Sequence, residues 1–283
     1  MKGLTFILGL FISAGAFAQS ATDEFLLPEN FFAEKGQAET VHLFNGEGLK
    51  PGGEVKFHAA AVTKLTLYHG SKDVNLKPTS KDGEPPLLNY PTAEGLSLLQ
   101  LDESQQVKDY DRDDYVQQLN EQGQDKIAQK LNAGNRLRIR EKHIAFLKTL
   151  FSSENGGGKV YEKQVHADYE IVLKQNPYKS NYGDDITGVL YFKGQPAKVA
   201  KVQFYIRAQG GTIFRQDLST DNSGEFFIKL SREGVYMLAS SNVEASTTSG
   251  TDVDTWYTSY TFAFSSSNAM PNTYREFGFG NMH

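Results

Sequence analysis

Residues 188–208 read GVLYFKGQPAKVAKVQFYIRA, residues 218–244 read LSTDNSGEFFIKLSREGVYMLASSNVE, and residues 252–264 read DVDTWYTSYTFAF. Short runs in which apolar and polar residues alternate are separated by Gly, Pro, Asp and Asn at regular intervals. This pattern is typical of an antiparallel β-sandwich. We therefore predict a β-sandwich in the C-terminal part of the chain, with loops suited to binding rather than to covalent chemistry.

Working outward from this stretch, the rest of the chain divides into four further segments. Residues 1–18 are a predicted signal peptide, and residues 19–108 contain short strand-like runs that predict an N-terminal β-rich domain. Residues 109–158 predict a helical insertion and connector, residues 159–265 the C-terminal sandwich domain, and residues 266–283 a flexible tail. The predicted fold class is mainly β, with two β-sandwich-like domains and a short helical insertion between them.

The insertion contains one clear segment and one ambiguous segment. Residues 109–131 carry apolar residues near helical spacing after an acidic start, which predicts one broken helix or two short ones. The pattern Asp109-x-Asp111-x-Asp113 also resembles a calcium loop, but Asp114 and Asn120 stand where such a loop needs Gly and Glu. Arg136–Phe151 fits either a helix or a strand.

The first residues, MKGLTFILGLFISAGAFAQS, have the form of a secretory signal. Lys2 supplies a positive start, an uncharged apolar run follows, and the small residues Ala16 and Ala18 predict cleavage after Ala18. The apolar run is too short to cross a hydrocarbon core of about 30 Å as a helix. We expect a mature protein that starts at Gln19, does not span a membrane, and is periplasmic or secreted.

Composition excludes several classes of site and partner. The chain has no cysteine, so it cannot form a thiolate metal site, a Cys nucleophile or a disulfide. Its formal net charge is −5 and no basic run occurs, whereas nucleic-acid binding needs a clustered positive face. We therefore expect no nucleic-acid partner.

The order of several loose motifs is similar to that of a known family. These motifs are FLLPENFF at 25–32, DYVQQLNEQGQDKIAQKL at 114–131, GVLYFKGQPAKVAKVQFYI at 188–206, TDNSGEFFIKLSREGVYML at 220–238 and DVDTWYTSYTFAF at 252–264. Together they resemble the domain-of-unknown-function family 4198, whose members have been labelled subunits of a nickel transport complex. The resemblance covers residues 25–264.

The family resemblance implies a fold type, a ligand and a partner that the sequence patterns alone do not indicate. It implies a periplasmic or secreted protein with a C-terminal half similar to transthyretin-like or immunoglobulin-like sandwiches. It also implies an association with uptake of nickel, cobalt or another transition metal, which would be the ligand. A membrane transport system or another envelope protein would then be the partner.

This chain departs from the family pattern at two histidine positions. Where the family motif has a His after the signal peptide, this chain has Thr22-Asp23-Glu24. Where the family has a second His before the Trp-containing strand, this chain has Asn242. Imidazole is a good ligand for nickel, copper and zinc, whereas a carboxamide is a poor one. If those histidines bind metal in the family, the site in this chain is lost or altered.

The remaining histidines offer weak metal candidates. His58 and His69 fall on neighbouring predicted strands and could meet, although a half-buried strand His and a turn His also explain them. Met282-His283 combines a thioether, an imidazole and a carboxylate at the C-terminus, which a frayed end also explains. A metal site needs several converging donors, and no histidine pair has local spacing that provides them.

The closing strand is rich in aromatic residues. Alternation puts Trp256, Tyr260 and Phe262 on one face, where they would pack in the core or form a ligand platform together with Asn242. The chain contains no G-x-S-x-G elbow, H-E-x-x-H helix or phosphate loop. We therefore expect no enzymatic activity.

Two hypotheses about function follow. The first is a non-enzymatic envelope protein associated with nickel- or cobalt-type uptake, which binds a metal or another ligand through residues far apart in sequence. The second is a structural or ligand-presenting module of the cell envelope that holds a peptide, a glycan or a protein. Metal titration separates the two.

Overall fold

The computed structural model describes residues 23–80, 82–83 and 85–280. The predicted signal peptide and the pair Met282-His283 lie outside the described residues. The protein is mainly β, as the alternating sequence pattern predicts. No helix in these ranges is both long enough and apolar enough to cross a membrane.

The strands are distributed along the whole described chain. In the first half they are β1 (Asp23–Pro28), β2 (Phe32–Ala33), β3 (Ala38–Glu47), β4 (Lys50–Glu54), β5 (Val62–His69), β6 (Lys72–Asn75), β7 (Leu88–Pro91), β8 (Gly95–Glu103) and β9 (Gln106–Asp111). In the second half they are β10 (Arg138–Ser153), β11 (Tyr169–Leu173), β12 (Asp185–Phe192), β13 (Gln195–Pro196), β14 (Lys201–Ala208), β15 (Ile213–Ser219), β16 (Glu225–Lys229), β17 (Gly234–Ala245) and β18 (Val253–Phe264).

Two short helices follow β9, in agreement with the sequence prediction. They are α1 (Arg112–Glu121) and α2 (Asp125–Asn132), and a third helix, α3 (Thr273–Glu276), lies near the C-terminus. The Asp111 carboxylate accepts a hydrogen bond from the backbone N–H of Asp113, so it caps the first turn of α1. The acidic run therefore has a structural role as a helix start.

The strands form three sheets. The central sheet has ten strands, in the order β15-β14-β17-β18-β10-β8-β5-β6, with β2 and β9 also paired to β10. The N-terminal sheet has the order β1-β3-β4, with β7 paired to β3. The C-terminal sheet has the order β11-β12-β13, with β16 paired to β12.

The central sheet draws strands from all parts of the chain, and β10 lies in its middle. Arg138–Ser153, the ambiguous segment, is a strand that pairs in parallel with β18 and antiparallel with β8 and β9. Its side chains are buried on both faces from Ala145 onward, so the apolar–polar alternation that identifies a half-exposed strand is missing. The segment predicted as a connector thus also supplies the strand that joins the two halves of this sheet.

The two smaller sheets cover opposite faces of the central sheet. Tyr257 and Ala263 of β18 pack with the N-terminal sheet in one core, while Trp256, Tyr260 and Phe262 pack with the C-terminal sheet in another. This division follows the two-residue period of a strand. The sandwich-like packing predicted from the sequence is therefore present on both sides of a shared central sheet.

The segment predicted as a flexible tail carries ordered contacts through residue 280. The Thr273 hydroxyl donates a hydrogen bond to the Pro28 carbonyl, and the Thr273 N–H donates to the Glu29 carbonyl at 2.8 Å. Phe277 and Phe279 pack against the core of the N-terminal sheet. Burial of these aromatic side chains explains why a segment with a polar sequence is held in place.

Candidate functional site

A group of buried and half-buried ionisable side chains lies between β1 and the central sheet. We call it the polar layer, and it consists of Glu24, Glu103, Lys108, Glu141 and His143. On β10, Glu141 and His143 are two residues apart and therefore face the same side of the sheet. β9 places Lys108 opposite Glu141 in the strand pairing, and β1 lies over this face of β10. The backbone topology thus brings together residues from four strands.

The polar layer contains buried atoms that lack hydrogen-bond partners in the described part of the chain. His143 is only 6% exposed, and neither of its ring nitrogens has a partner. The same is true of Glu141 Oε2 and Glu24 Oε2. An unpaired buried polar atom costs about 1–3 kcal/mol, and proteins keep few of them. These atoms therefore mark the polar layer as a candidate functional site.

The positions of His143 and Glu141 suit a shared ligand. His143 Nδ1 lies 3.6 Å from Glu141 Oε2, which is longer than a hydrogen bond. The second oxygen, Glu141 Oε1, accepts a hydrogen bond of 2.9 Å from the Tyr115 hydroxyl, and this contact fixes the carboxylate. Metal–nitrogen and metal–oxygen bonds to zinc are about 2.0–2.2 Å long, so one ion fits between two donors at this separation.

The surrounding charges set the protonation of the three carboxyls. Burial opposes ionisation of Glu24 and Glu141, but at both residues the favourable interactions of the ionised carboxylate with nearby groups are stronger. Lys108 and His143 lower the pKa of Glu24, and His143 and the Thr255 hydroxyl lower that of Glu141 to about 2. At Glu103, burial and the charge of Glu24 raise the pKa to about 8.

The arrangement is not a complete metal centre. Across residues 23–80, 82–83 and 85–280, no three His, Asp or Glu side chains are already grouped so that they could hold one ion. His143 and Glu141 supply two donors at suitable spacing. Glu24, whose Oε2 atom is unpartnered, is a candidate for a third donor because it interacts electrostatically with His143.

His58 and His69 are not brought together. His69 is the last residue of β5, whereas His58 precedes the helical turn Ala59–Ala61 that comes before this strand, so the whole eight-residue strand, about 26 Å long, lies between them. His58 is exposed and lies 3.7 Å from Asp82, while His69 Nδ1 is 3.0 Å from the Ser97 hydroxyl. A single ion cannot contact both imidazoles in this arrangement.

The side chains proposed as an aromatic platform are mostly buried. Trp256 packs edge-on against Phe192 with ring centroids 5.2 Å apart, and the Lys193 ammonium lies 4.4 Å from the Trp256 ring centroid. Tyr260 is 1% exposed. Asn242 pairs with Trp256 across β17 and β18 and is half-buried. In this structure, Trp256 and Tyr260 fill the core between the central and C-terminal sheets, which was the alternative that the sequence left open.

The sequence reasoning missed Glu141 and His143 as site residues. The available signal was their two-residue spacing, which puts both side chains on one face of a strand. That signal could not be used because the segment fitted a helix equally well. Glu24 and Glu103 come from distant parts of the chain, so no local motif connects them with His143.

Comparison with known proteins identifies the family. No curated protein matches the chain. The model of a family described as "Domain of unknown function (DUF4198)" matches residues 20–244, which include the N-terminal sheet, β10 and most of β17. With four fifths of its length matched, this chain belongs to the DUF4198 family of domains of unknown function.

Proposed function

We propose that this protein is a non-enzymatic periplasmic or secreted protein that binds a transition-metal ion of the nickel or cobalt type in its polar layer. The observation that carries the proposal is the buried imidazole of His143. Both of its nitrogens are unpartnered in the described residues, and a carboxylate with a free oxygen lies 3.6 Å away. The bound ion would be cargo delivered to a membrane transport system or another envelope protein.

The donor chemistry supports this choice of ligand. Imidazole nitrogen and carboxylate oxygen together suit Zn²⁺, Ni²⁺ and Co²⁺. The lowered pKa values leave Glu24 and Glu141 ionised near neutral pH, whereas Glu103, with a pKa of about 8, is protonated there. Glu24 forms an ion pair with Lys108 at 3.0 Å, so Glu141 is the carboxylate whose charge a bound divalent cation would balance in this buried environment, where charges without partners are costly.

The departure from the family motif is compatible with this site. Asp23 and Glu24 occupy the region where the family resemblance places a histidine, and Glu24 is part of the polar layer. A carboxylate at this position still offers a ligand atom, unlike a carboxamide. We therefore expect an altered donor set in which Glu24 contributes oxygen.

Calorimetric titration of the mature, chelator-stripped protein with Ni²⁺, Co²⁺, Cu²⁺ and Zn²⁺ tests the proposal. We expect micromolar or tighter binding of at least one ion, which is lost in His143→Ala and in the nearly isosteric Glu141→Gln. The controls are His58→Ala and Glu162→Gln, which change an exposed imidazole and an exposed carboxylate away from the layer. Fluorescence of Trp256, which lies in the other core, reports whether each variant is folded.

The outcome also decides between the two functional hypotheses. If the folded natural protein binds none of the four ions, or if His58→Ala weakens binding as much as His143→Ala does, the metal role is wrong. A structural or ligand-presenting module of the envelope then becomes the better interpretation.

The location can be tested separately from metal binding. After expression of the full chain in a bacterial host, we expect the protein in the periplasmic or culture fraction, with an N-terminus at Gln19 by mass spectrometry. An uncleaved chain retained in the cytoplasm would contradict this part of the proposal.

A further inference from the structure

A second polar feature lies at a different edge of the molecule, beside His69. A cavity of 320 Å³ opens between the β5–β6 hairpin of the central sheet and β7 of the N-terminal sheet. Its walls include Leu67, Val74, Tyr90 and Pro91. Small-molecule sites are mostly apolar clefts of about 300–1,000 Å³ with a few polar groups. This cavity therefore has the size and lining of a site for a small ligand.

The polar groups of the cavity lie together. Ser97, which is 3% exposed, and His69 are held by a contact of 3.0 Å between the hydroxyl and Nδ1. No hydrogen bond from another described residue engages His69 Nε2. The ring is therefore fixed on one side and can bond a ligand on the other.

The charged residue that lines the cavity indicates which kind of ligand it can bind. Among the described residues that line the cavity, Lys72 is charged and none is acidic. The acidic neighbour Asp73 is paired with Lys163 at 2.6 Å, so Lys72 is not neutralised by it. Lys72 and His69 are partners across the β5–β6 hairpin and therefore lie close together. A carboxylate suits this pair better than a neutral or cationic group does.

We infer that this cavity binds a small aromatic monocarboxylate, with its ring between Tyr90 and the aliphatic wall and its carboxylate at Lys72 and His69. The Tyr90 ring offers a surface on which a planar apolar group can stack. A lone imidazole does not make a metal site, so this role differs from the metal role first considered for His69. The inference does not depend on metal binding in the polar layer.

Titration of the isotope-labelled mature protein with benzoate, followed by amide NMR, tests the inference. We expect saturable shifts at Tyr90, Ser97 and their neighbours at millimolar or lower concentration. Benzamide, which has the same shape without the charge, and benzylamine, which has the opposite charge, should bind about tenfold more weakly or not at all.

Two variants and a control make the test specific. Lys72→Ala removes the charge from an exposed position and should weaken benzoate binding about tenfold. Val74→Phe fills the cavity and should abolish binding. Lys174→Ala, at an exposed lysine next to β11, should leave benzoate affinity unchanged. Trp256 fluorescence again reports folding.

Three results would overturn the inference. The first is the absence of saturable shifts at the cavity residues of the natural protein. The second is equal binding of benzoate, benzamide and benzylamine, which would indicate non-specific apolar adsorption. The third is unchanged benzoate affinity in folded Lys72→Ala.

Discussion

The phenol ring of Tyr274 lies nearly parallel to the imidazole of His42, with ring centroids 3.9 Å apart and an interplanar angle of 13°. The imidazole lies between two carboxylates, 2.5 Å from Glu54 and 3.0 Å from Glu29. The Tyr274 hydroxyl donates to Glu54 at 3.0 Å, and Asn272 donates to Glu29 at 3.0 Å. The C-terminal segment is thus attached to the N-terminal sheet through a connected set of polar contacts.

Replacing Tyr274 with alanine should destabilise the protein. The change removes a stacked aromatic pair and a hydrogen bond to a carboxylate, which together contribute about 2–3 kcal/mol. Urea unfolding followed by Trp256 fluorescence measures the loss. Tyr182→Ala is the matched control because Tyr182 is 66% exposed, and it should change the free energy of unfolding by less than about 0.5 kcal/mol. Equal effects of the two changes would show that the contacts of Tyr274 contribute no more to stability than those of an exposed tyrosine.

Glu39 should make the stability depend on pH. Burial, with a smaller contribution from the charge of Glu29, raises the pKa of Glu39 from 4.5 to about 8. Between these values Glu39 binds more protons in the folded state than in the unfolded state, so its contribution to stability is greatest below about pH 4.5 and is lost as pH rises through about 8. Glu39→Gln removes this cost of ionisation. The variant should be more stable than the natural protein at about pH 8, by on the order of 3 kcal/mol, and similar at about pH 5.

Urea unfolding of both proteins across this pH range measures the difference. The control is Glu34→Gln, which changes an exposed glutamate in the same segment and should leave the pH profile unaltered. If the free energy of unfolding of Glu39→Gln depends on pH in the same way as that of the natural protein, Glu39 is not the group responsible for the pH dependence.

Lys148 and Glu170 should be strongly coupled. Their side chains are 1% and 0% exposed and form an ion pair of 2.6 Å between the central and C-terminal sheets. Removing one partner leaves a buried charge, so Lys148→Met or Glu170→Gln should each cost about 3–5 kcal/mol. The double variant should cost less than the sum of the two single changes. A double-mutant cycle of unfolding free energies measures this coupling.

The exposed pair Lys229–Asp185, at 2.9 Å, provides the comparison for that cycle. Its coupling should lie between about 0 and 1 kcal/mol because solvent screens both charges. If the effects of the single changes at Lys148 and Glu170 simply add in the double variant, the predicted energetic coupling of this ion pair is wrong.

Gly188 should not tolerate a side chain. A Cβ atom at this position of β12 would overlap the ring of Phe226, which is 1% exposed and cannot move away freely. Gly188→Ala should therefore cost about 1–3 kcal/mol through overpacking. Thermal unfolding measures the cost, and adding Phe226→Leu should recover part of it. The control, Gly52→Ala at an exposed position of β4, meets only ordinary contacts and should be nearly neutral.

Sequence reasoning predicted most of the C-terminal strands because they obey a two-residue alternation. β12, β14, β16 and β18 begin and end within a few residues of the predicted runs. Residues 55–62 are one of the strand-like runs in the predicted N-terminal β-rich domain, but a helical turn occupies Ala59–Ala61 and the strand begins only at Val62. Three consecutive alanines give no alternation, so the pattern could not fix where the strand begins.

The candidate site was less accessible to sequence reasoning because it depends on which strands become neighbours. The spacing of Glu141 and His143 is local, but their enclosure depends on the pairing of β8 and β9 with β10 and on the packing of β1 from another sheet against them. Cross-strand neighbours far apart in sequence are set by tertiary packing and not by local propensity. The same limit explains why His58 and His69, which looked like potential neighbours, are separated by the full length of β5.

The parallel pairing of β10 with β18 has a consequence for how the chain folds. Glu141 pairs with Val253, so the middle of the central sheet is completed by a strand near the end of the chain. Contacts over such long sequence separations incur a large loop-closure entropy before they contribute stability, and proteins rich in them fold slowly. Before β18 pairs with it during folding, β10 has an exposed edge of backbone groups that lack hydrogen-bond partners. Exposed strand edges of this kind promote aggregation and chaperone binding.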